Sequence, residues 1–260
     1  MELPQSTNVR RIIPNDFIRS SLFTVSNHRQ ARKYLKNNNI YSFGKTEITY
    51  TGEELRQDDE DVWLQLLYNA AKEQNFETEF MPYSFLKQLD WAARVQYREK
   101  LFESINRMVA TNITIKNKYV QQGLSLSLVR KFSWQDKKGD KLKFWKVWLE
   151  PEVLKLFENY TYTRLLWDQR KKLKPLAKWL HAYYSSHADP YSVKVSTLHI
   201  ACGSNIKQQK HFKENLRNAL FELVSVGFLI DFYIGPDNLV YVTKKQKKSQ
   251  FIKVQTDIID

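Results

Sequence analysis

Apolar residues recur along residues 207–227 at the spacing of a single helix face. At about 100° per residue, Phe212, Leu216, Ala219, Leu220 and Leu223 gather on one side. The opposite side carries Lys207, Lys210, Glu214, Arg217 and Asn218, with His211 and Lys213 at its edges. Upstream, residues 196–202 leave room for two helical turns, and Gly203-Ser204-Asn205 reads as a turn. Downstream, 228–233 and 239–243 flank Gly235-Pro236-Asp237-Asn238 as the arms of a hairpin. Helix, turn, long basic helix and hairpin is the order of a winged-helix unit, whose long helix meets base edges in a major groove. A solvated charged face on a purely structural helix is the plainer alternative.

The chain before this unit follows a similar plan. A polar leader, 1–11, precedes a short helix over 17–23 that Asn15 or Asp16 caps. The basic stretch 27–39 reads as a loop or an exposed short helix, followed by strands over 40–43 and 47–51 around Gly44-Lys45. A periodic helix runs through Val62, Leu66, Leu67 and Ala70 to about Gln74, then a short strand over 78–81 and a short helix over 84–91 that Ser84 caps. A longer helix, 96–109, buries Tyr97, Leu101, Ile105 and Met108 and turns Gln96, Glu99, Lys100, Glu103, Asn106 and Arg107 outward. A long hairpin pairs 123–134 with 141–149, its tip carrying Lys137 and Lys138. A short helix over 151–157 leads to a junction near Glu158-Asn159, a strand over 163–167 and a helix over 174–187 with Pro175 in its first turn. The reading is an α+β protein of two consecutive winged-helix domains, 1–159 and 160–245, with a C-terminal tail at 246–260.

Charge adds direction. The formal net charge is +13, which favours a polyanion partner, nucleic acid ahead of an anionic membrane surface. It is unevenly spread: residues 161–260 hold 16 Lys and Arg against 8 Asp and Glu, whereas residues 1–160 hold 25 against 20. The expected DNA contacts of the second unit are Lys207, Lys210, His211, Lys213, Arg217 and Asn218. In the first unit they are Arg94, Gln96, Lys100 and Arg107 on the long helix, with Lys137 and Lys138 at the wing tip. Phosphate contacts of this kind fix register on the duplex.

Other chemistries find little footing. One cysteine, Cys202, excludes an intramolecular disulfide and fits a reducing compartment; it reads as a small buried hydrophobe at a helix end. Six carboxylates between Glu53 and Asp61 invite a metal ion. Helix capping by Asp58 and the helix dipole account for them without one. No G-x-x-x-x-G-K-[ST], H-E-x-x-H or G-x-S-x-G occurs. The expectation is a binding protein rather than an enzyme, with no cofactor and no metal, in the cytoplasm and away from any membrane.

Several short segments resemble the TrfA family of plasmid replication initiators. They are Arg11-Ile-Ile-Pro-Asn-Asp16 with Arg19-Ser-Ser-Leu-Phe23, the run from Tyr50 to Val62, Leu89-Asp90-Trp91, Ser185-Ser186-His187 with Pro190-Tyr191, and Cys202-Gly203-Ser204. The resemblance implies two winged helices that bind direct repeats (iterons) in double-stranded origin DNA, help open an adjacent A·T-rich region and recruit the host helicase and initiator. It also implies an active monomer and a replication-incompetent dimer. Family members often carry a clamp-binding Gln-Leu-Ser-Leu-Phe before the first signature, and Pro4-Gln-Ser-Thr-Asn-Val9 does not match it. A winged-helix transcriptional regulator that binds operator DNA is the alternative function.

Overall fold

The computed structural model describes residues 3–245 except Gln5, His28, Lys118, Tyr119, residues 136–138 and Asp140. Its elements begin with β1 (Arg10–Pro14), α1 (Asn15–Ile18), β2 (Phe23–Thr24), β3 (Tyr34–Ile40), β4 (Glu47–Glu53), β5 (Leu55–Arg56) and α2 (Gln57–Glu73). They continue with β6 (Glu77–Phe80), α3 (Pro82–Gln88), α4 (Val95–Val109), β7 (Asn112–Asn117), β8 (Val120–Leu126), β9 (Val129–Gln135), β10 (Lys141–Leu149) and a 3-10 helix, Pro151–Tyr160. The last run is β11 (Tyr162–Leu166), α5 (Trp167–Lys171), α6 (Pro175–Ser185), β12 (Val193–Lys194), α7 (Val195–Ala201), α8 (Gln209–Ser225), β13 (Leu229–Ile234) and β14 (Leu239–Lys244).

Two stretches share one order of elements. In the first, α2, β6, α3, α4, β9 and β10 build a sheet ordered β6-β10-β9; in the second, α6, β12, α7, α8, β13 and β14 build one ordered β12-β14-β13. Each time the short early strand pairs with the last strand, and the final hairpin forms a wing beside the long helix. The protein is therefore α+β with two winged-helix units, as the periodicity predicts.

Differences from the sequence reading lie where pairing is distant. The hairpin arm expected over 123–134 is two strands in two sheets. Leu124 and Leu126 pair with Ile115 and Ile113 in a sheet ordered β3-β4-β7-β8, whereas β9 belongs to the wing. The consecutive burial of Leu128 and Val129 breaks the alternation at the switch. Residues 34–39, expected as loop or helix, form β3 together with Ile40, held by backbone pairing such as Asn38 with Tyr50 although most side chains are exposed. β1 begins at Arg10 within the expected leader and runs beyond it, and its Ile12 and Ile13 are buried and pair with Arg164 and Thr163 of β11. Helix over 17–23 shortens to α1, because Phe23 leaves to pair in parallel with Leu55.

The acidic run before α2 explains how the two units are joined. The helix starts two residues earlier than expected: Arg56, not Asp58, occupies the N-cap, and its N–H donates to Asp59 Oδ2 at 2.8 Å. Successive carboxylates then point to different sides of the first turn. Asp59 takes Arg32 and Arg107 at 2.7 Å each and the Ser104 hydroxyl at 2.8 Å, all within the first unit. Asp58 pairs with Lys100 at 2.8 Å. Burial alone would raise the Asp58 carboxyl, but Lys100 and Arg32 outweigh it and hold it down at about 2. Asp61 and Glu60 instead face the second unit, where Arg170 reaches them at 2.7 and 3.3 Å and Lys178 also bonds Asp61. These cations pair four of the six carboxylates, Asp58, Asp59, Glu60 and Asp61. Among the described residues, no group of three or more His, Cys, Asp or Glu is placed to hold a metal ion.

One contiguous apolar core runs through both units. Trp63 of α2 packs on Phe17 and Phe23, with centroids 5.4 and 6.2 Å apart. Across the seam, Trp179 Nε1 donates to Ser20 O at 3.3 Å, and Val25 N–H donates to Cys202 O at 3.0 Å. Gly203 sits at this seam with φ +62, and a Cβ there would stand 2.7 Å from Thr24 Cγ2. Thr24 cannot easily yield, because its hydroxyl bonds Ser26 and Glu54. Gly203→Ala should cost about 1–3 kcal/mol through left-handed strain and the clash together. A urea midpoint shifted by less than about 0.5 kcal/mol equivalent would show that the seam opens without cost.

Candidate nucleic-acid interface

The long helix of the second unit presents a largely bare basic face. Its buried stripe is the predicted one: Phe212, Leu216, Ala219, Leu220 and Leu223 are all in the core. Lys207, Lys210, His211, Arg217 and Asn218 are exposed, and no side-chain hydrogen bond or ion pair joins any of them to another described residue. Lys213 differs. It is half-buried, and its Nζ donates to Asn238 Oδ1 at 2.6 Å, tying α8 to the turn of its own wing. Asn238 adopts φ +61 in that turn, a conformation asparagine tolerates better than most residues. Lys213 therefore positions the wing against the helix.

Two of these residues also face the seam. Lys207 and Asn218 line a cleft of about 690 Å³ whose far wall is Ser26, Asn27 and Gln30 of the first unit. The side-chain amide of Asn205 donates to Gln30 Oε1 across it. The turn before α8 is thus braced by the first unit, which sets how that helix is carried. At the far end of the unit, Lys244 Nζ donates to the carbonyls of Tyr184 and His187, and burial lowers its pKa.

In the first unit the expected residues divide differently. Arg94 and Gln96 are exposed at the start of α4. Lys100 is spent on Asp58 and lies over the Trp91 ring, 4.5 Å from its centroid. Arg107, read from the sequence as outward-facing, is corrected: its side chain is 8% exposed, held by Asp59 at 2.7 Å and Glu53 at 2.8 Å. It sits at the edge of the buried stripe, and a long guanidinium from there reaches inward to carboxylates far away in sequence. Lys137, Lys138 and the tail 246–260 lie outside the described residues.

The structure adds a residue the site reading omitted. Arg98, one turn after Arg94, lines with it and Lys143 of the wing a hollow of about 380 Å³ edged by Tyr83 and Val95. Its guanidinium stands 5.6 Å from the Trp145 ring centroid. The i, i+4 spacing of Arg94 and Arg98 was a readable signal. Lys146, by contrast, is engaged with Glu79 at 2.8 Å.

Cys202 is buried at the end of α7, its thiol donating to His199 O at 3.4 Å, and burial pushes its pKa up to about 12. It stands as a thiol at neutral pH, as a packing role requires. No helix among the described residues is long and apolar enough to cross a membrane.

The comparisons with known proteins bear on this arrangement. A sequence model of the family described as TrfA protein matches residues 1–244. The plasmid replication initiator protein TrfA of Escherichia coli is 34% identical over 230 residues, covering 87% of this chain and 60% of that protein. The chain thus spans less than two-thirds of that relative. Crystal structures of domains 2 and 3 of RctB are similar at TM-scores of 0.62 and 0.59, each at 12% identity. They cover 90% and 89% of this chain, and 99% and 97% of their own. At that identity the likeness is one of fold.

Proposed function

The chain belongs to the TrfA family, and on that premise we propose that it initiates plasmid replication by binding direct repeats in the origin duplex. One observation carries the DNA-binding part: the second winged helix keeps Lys207, Lys210, His211, Arg217 and Asn218 exposed on or beside the solvent side of α8, their side chains paired with no described residue. The first unit spends Lys100 and Arg107 on its own acids, which leaves Arg94, Gln96 and Arg98 for positioning. In this reading α8 reads base edges and the first unit fixes register on phosphates. Opening of an A·T-rich stretch, recruitment of the host helicase and initiator, and a replication-incompetent dimer follow from the family reading. The protein then works in the bacterial cytoplasm and makes or breaks no covalent bond.

Two substitutions separate base reading from backbone attraction. Arg217→Ala should cost about 1–3 kcal/mol on a duplex carrying one origin repeat and relax specificity at one base pair. Lys210→Ala should weaken repeat and random duplex alike and reduce the slope of log affinity against log salt by about one. Fluorescence anisotropy across a salt series reads both. If neither change alters repeat binding, α8 is not the reader. Light scattering should find one protein on one isolated repeat. Two copies on a lone inverted repeat would favour the transcriptional regulator, since a two-fold dimer needs a palindrome.

A further inference from the structure

The middle of the solvent side of α8 is occupied by an acid. Steps of about 100° place Glu214 almost opposite the buried stripe of Phe212, Leu216, Leu220 and Leu223. It is exposed, with Lys210 one turn before it and Arg217 and Asn218 one turn after. Yet it closes no ion pair with either cation and bonds no described residue. The other acid of the same helix behaves differently: Glu222 pairs with Lys174 at 3.6 Å and accepts its backbone N–H at 2.9 Å. Lysine four residues before glutamate is also the weaker order for an i, i+4 pair. In this structure, pairing with Lys210 at i−4 or Arg217 at i+3 does not account for Glu214.

A carboxylate at the centre of a cationic helix face opposes phosphate binding, so it weakens attraction to any duplex. It fits a groove floor in one way. A carboxylate only accepts, and the cytosine N4 amino group is the donor matched to it. Guanine O6 and N7 and thymine O4 are acceptors and would be repelled; adenine offers N6 but sets the N7 acceptor beside it. We propose that Glu214 is a specificity-determining residue that reads one cytosine in the repeat and rejects other bases at that position. The proposal rests on the reading of α8 as the DNA-contacting helix.

The test uses the full chain, a duplex carrying one origin repeat, a panel of that duplex with each base pair changed singly, and a random duplex. Wild-type protein should discriminate against loss of one C·G pair by about 5- to 150-fold. Glu214→Ala should lose that discrimination at that position only, while binding random duplex as tightly as wild type or more tightly. Glu214→Gln, of equal size but able to donate, should shift the preference at the same position toward adenine. Discrimination that persists at every position in Glu214→Ala overturns the assignment. So does an equal loss of affinity on all sequences, which marks a structural role. A wild-type protein that binds repeat and random duplex equally would instead overturn the parent reading, and the assignment with it.

Discussion

Replacing Arg170 by alanine should lower the free energy of unfolding by about 3–5 kcal/mol, the range found when one partner of a buried ion pair is removed. Arg170 is fully buried and touches the first unit through Asp61, Glu60 and Gln57 and the second through the Lys178 carbonyl. Its loss strands two buried carboxylates from α2, leaving Lys178 beside Asp61 and the Gln57 side chain beside Glu60. Most of the penalty is that uncompensated charge and not a lost attraction, which gives the prediction a second arm. Adding Glu60→Gln and Asp61→Asn to Arg170→Ala should recover part of the loss, because neutral groups cost less to bury unpaired. Urea unfolding of the three chains measures both effects. A loss below about 1 kcal/mol for the single change would mean that water enters and solvates the carboxylates.

The second large effect depends on pH. His181 lies buried on α6 with its ring 4.6 Å from that of Phe228, its Nε2 3.4 Å from Gln169 Oε1, and its Nδ1 without a partner. Burial first, then the charges of Arg170 and Lys244, push its pKa down to about 3. The folded protein therefore keeps the ring neutral, while the unfolded chain protonates it near the ordinary value of about 6.5. The contribution of this group is fully present above pH 6.5 and is lost progressively as pH falls from there toward 3. By pH 5 it should amount to roughly 2 kcal/mol of lost stability. His181→Leu removes the titrating group, so its stability should fall less between pH 7 and pH 5 than that of the wild type. Equal losses in both proteins, read by urea unfolding at the two pH values, would show that His181 is not what titrates.

Sequence patterns carried the parts of this molecule that depend on neighbours. The stripe of α8, the turn at Gly203 and the second wing are all set by residues within a few turns of one another, and each appears as expected. So does the order of α4 and its wing. What failed to show locally is held by partners far along the chain. β3 has no apolar alternation to betray it, because its seven residues are mostly exposed and it is pairing with β4, backbone and side chain, that makes them a strand. The break between β8 and β9 hides inside a continuous run of strand-forming residues. In the candidate interface, exposure of Lys210 and Arg217 followed from helix angle alone. The fates of Lys100 and Arg107 did not, since their carboxylate partners lie more than forty residues earlier in the chain.

The ladder between β1 and β11 also matters while the protein is being made. Pro14 pairs with Tyr162 and Arg10 with Leu166, so β1 leaves the ribosome about 150 residues before its partner. At 5–20 residues per second, that interval is roughly 8–30 s. During it, Ile12 and Ile13, 1% and 0% exposed in the finished protein, lack the strand that covers their edge. Asp61 likewise waits for Arg170, which is made a few residues after β11. A chain released early would carry an open apolar strand edge and unpaired buried acids, features that invite aggregation and proteolysis. The β1–β11 ladder and the Asp61–Arg170 pair can therefore both be in place only once the chain has been translated past Arg170.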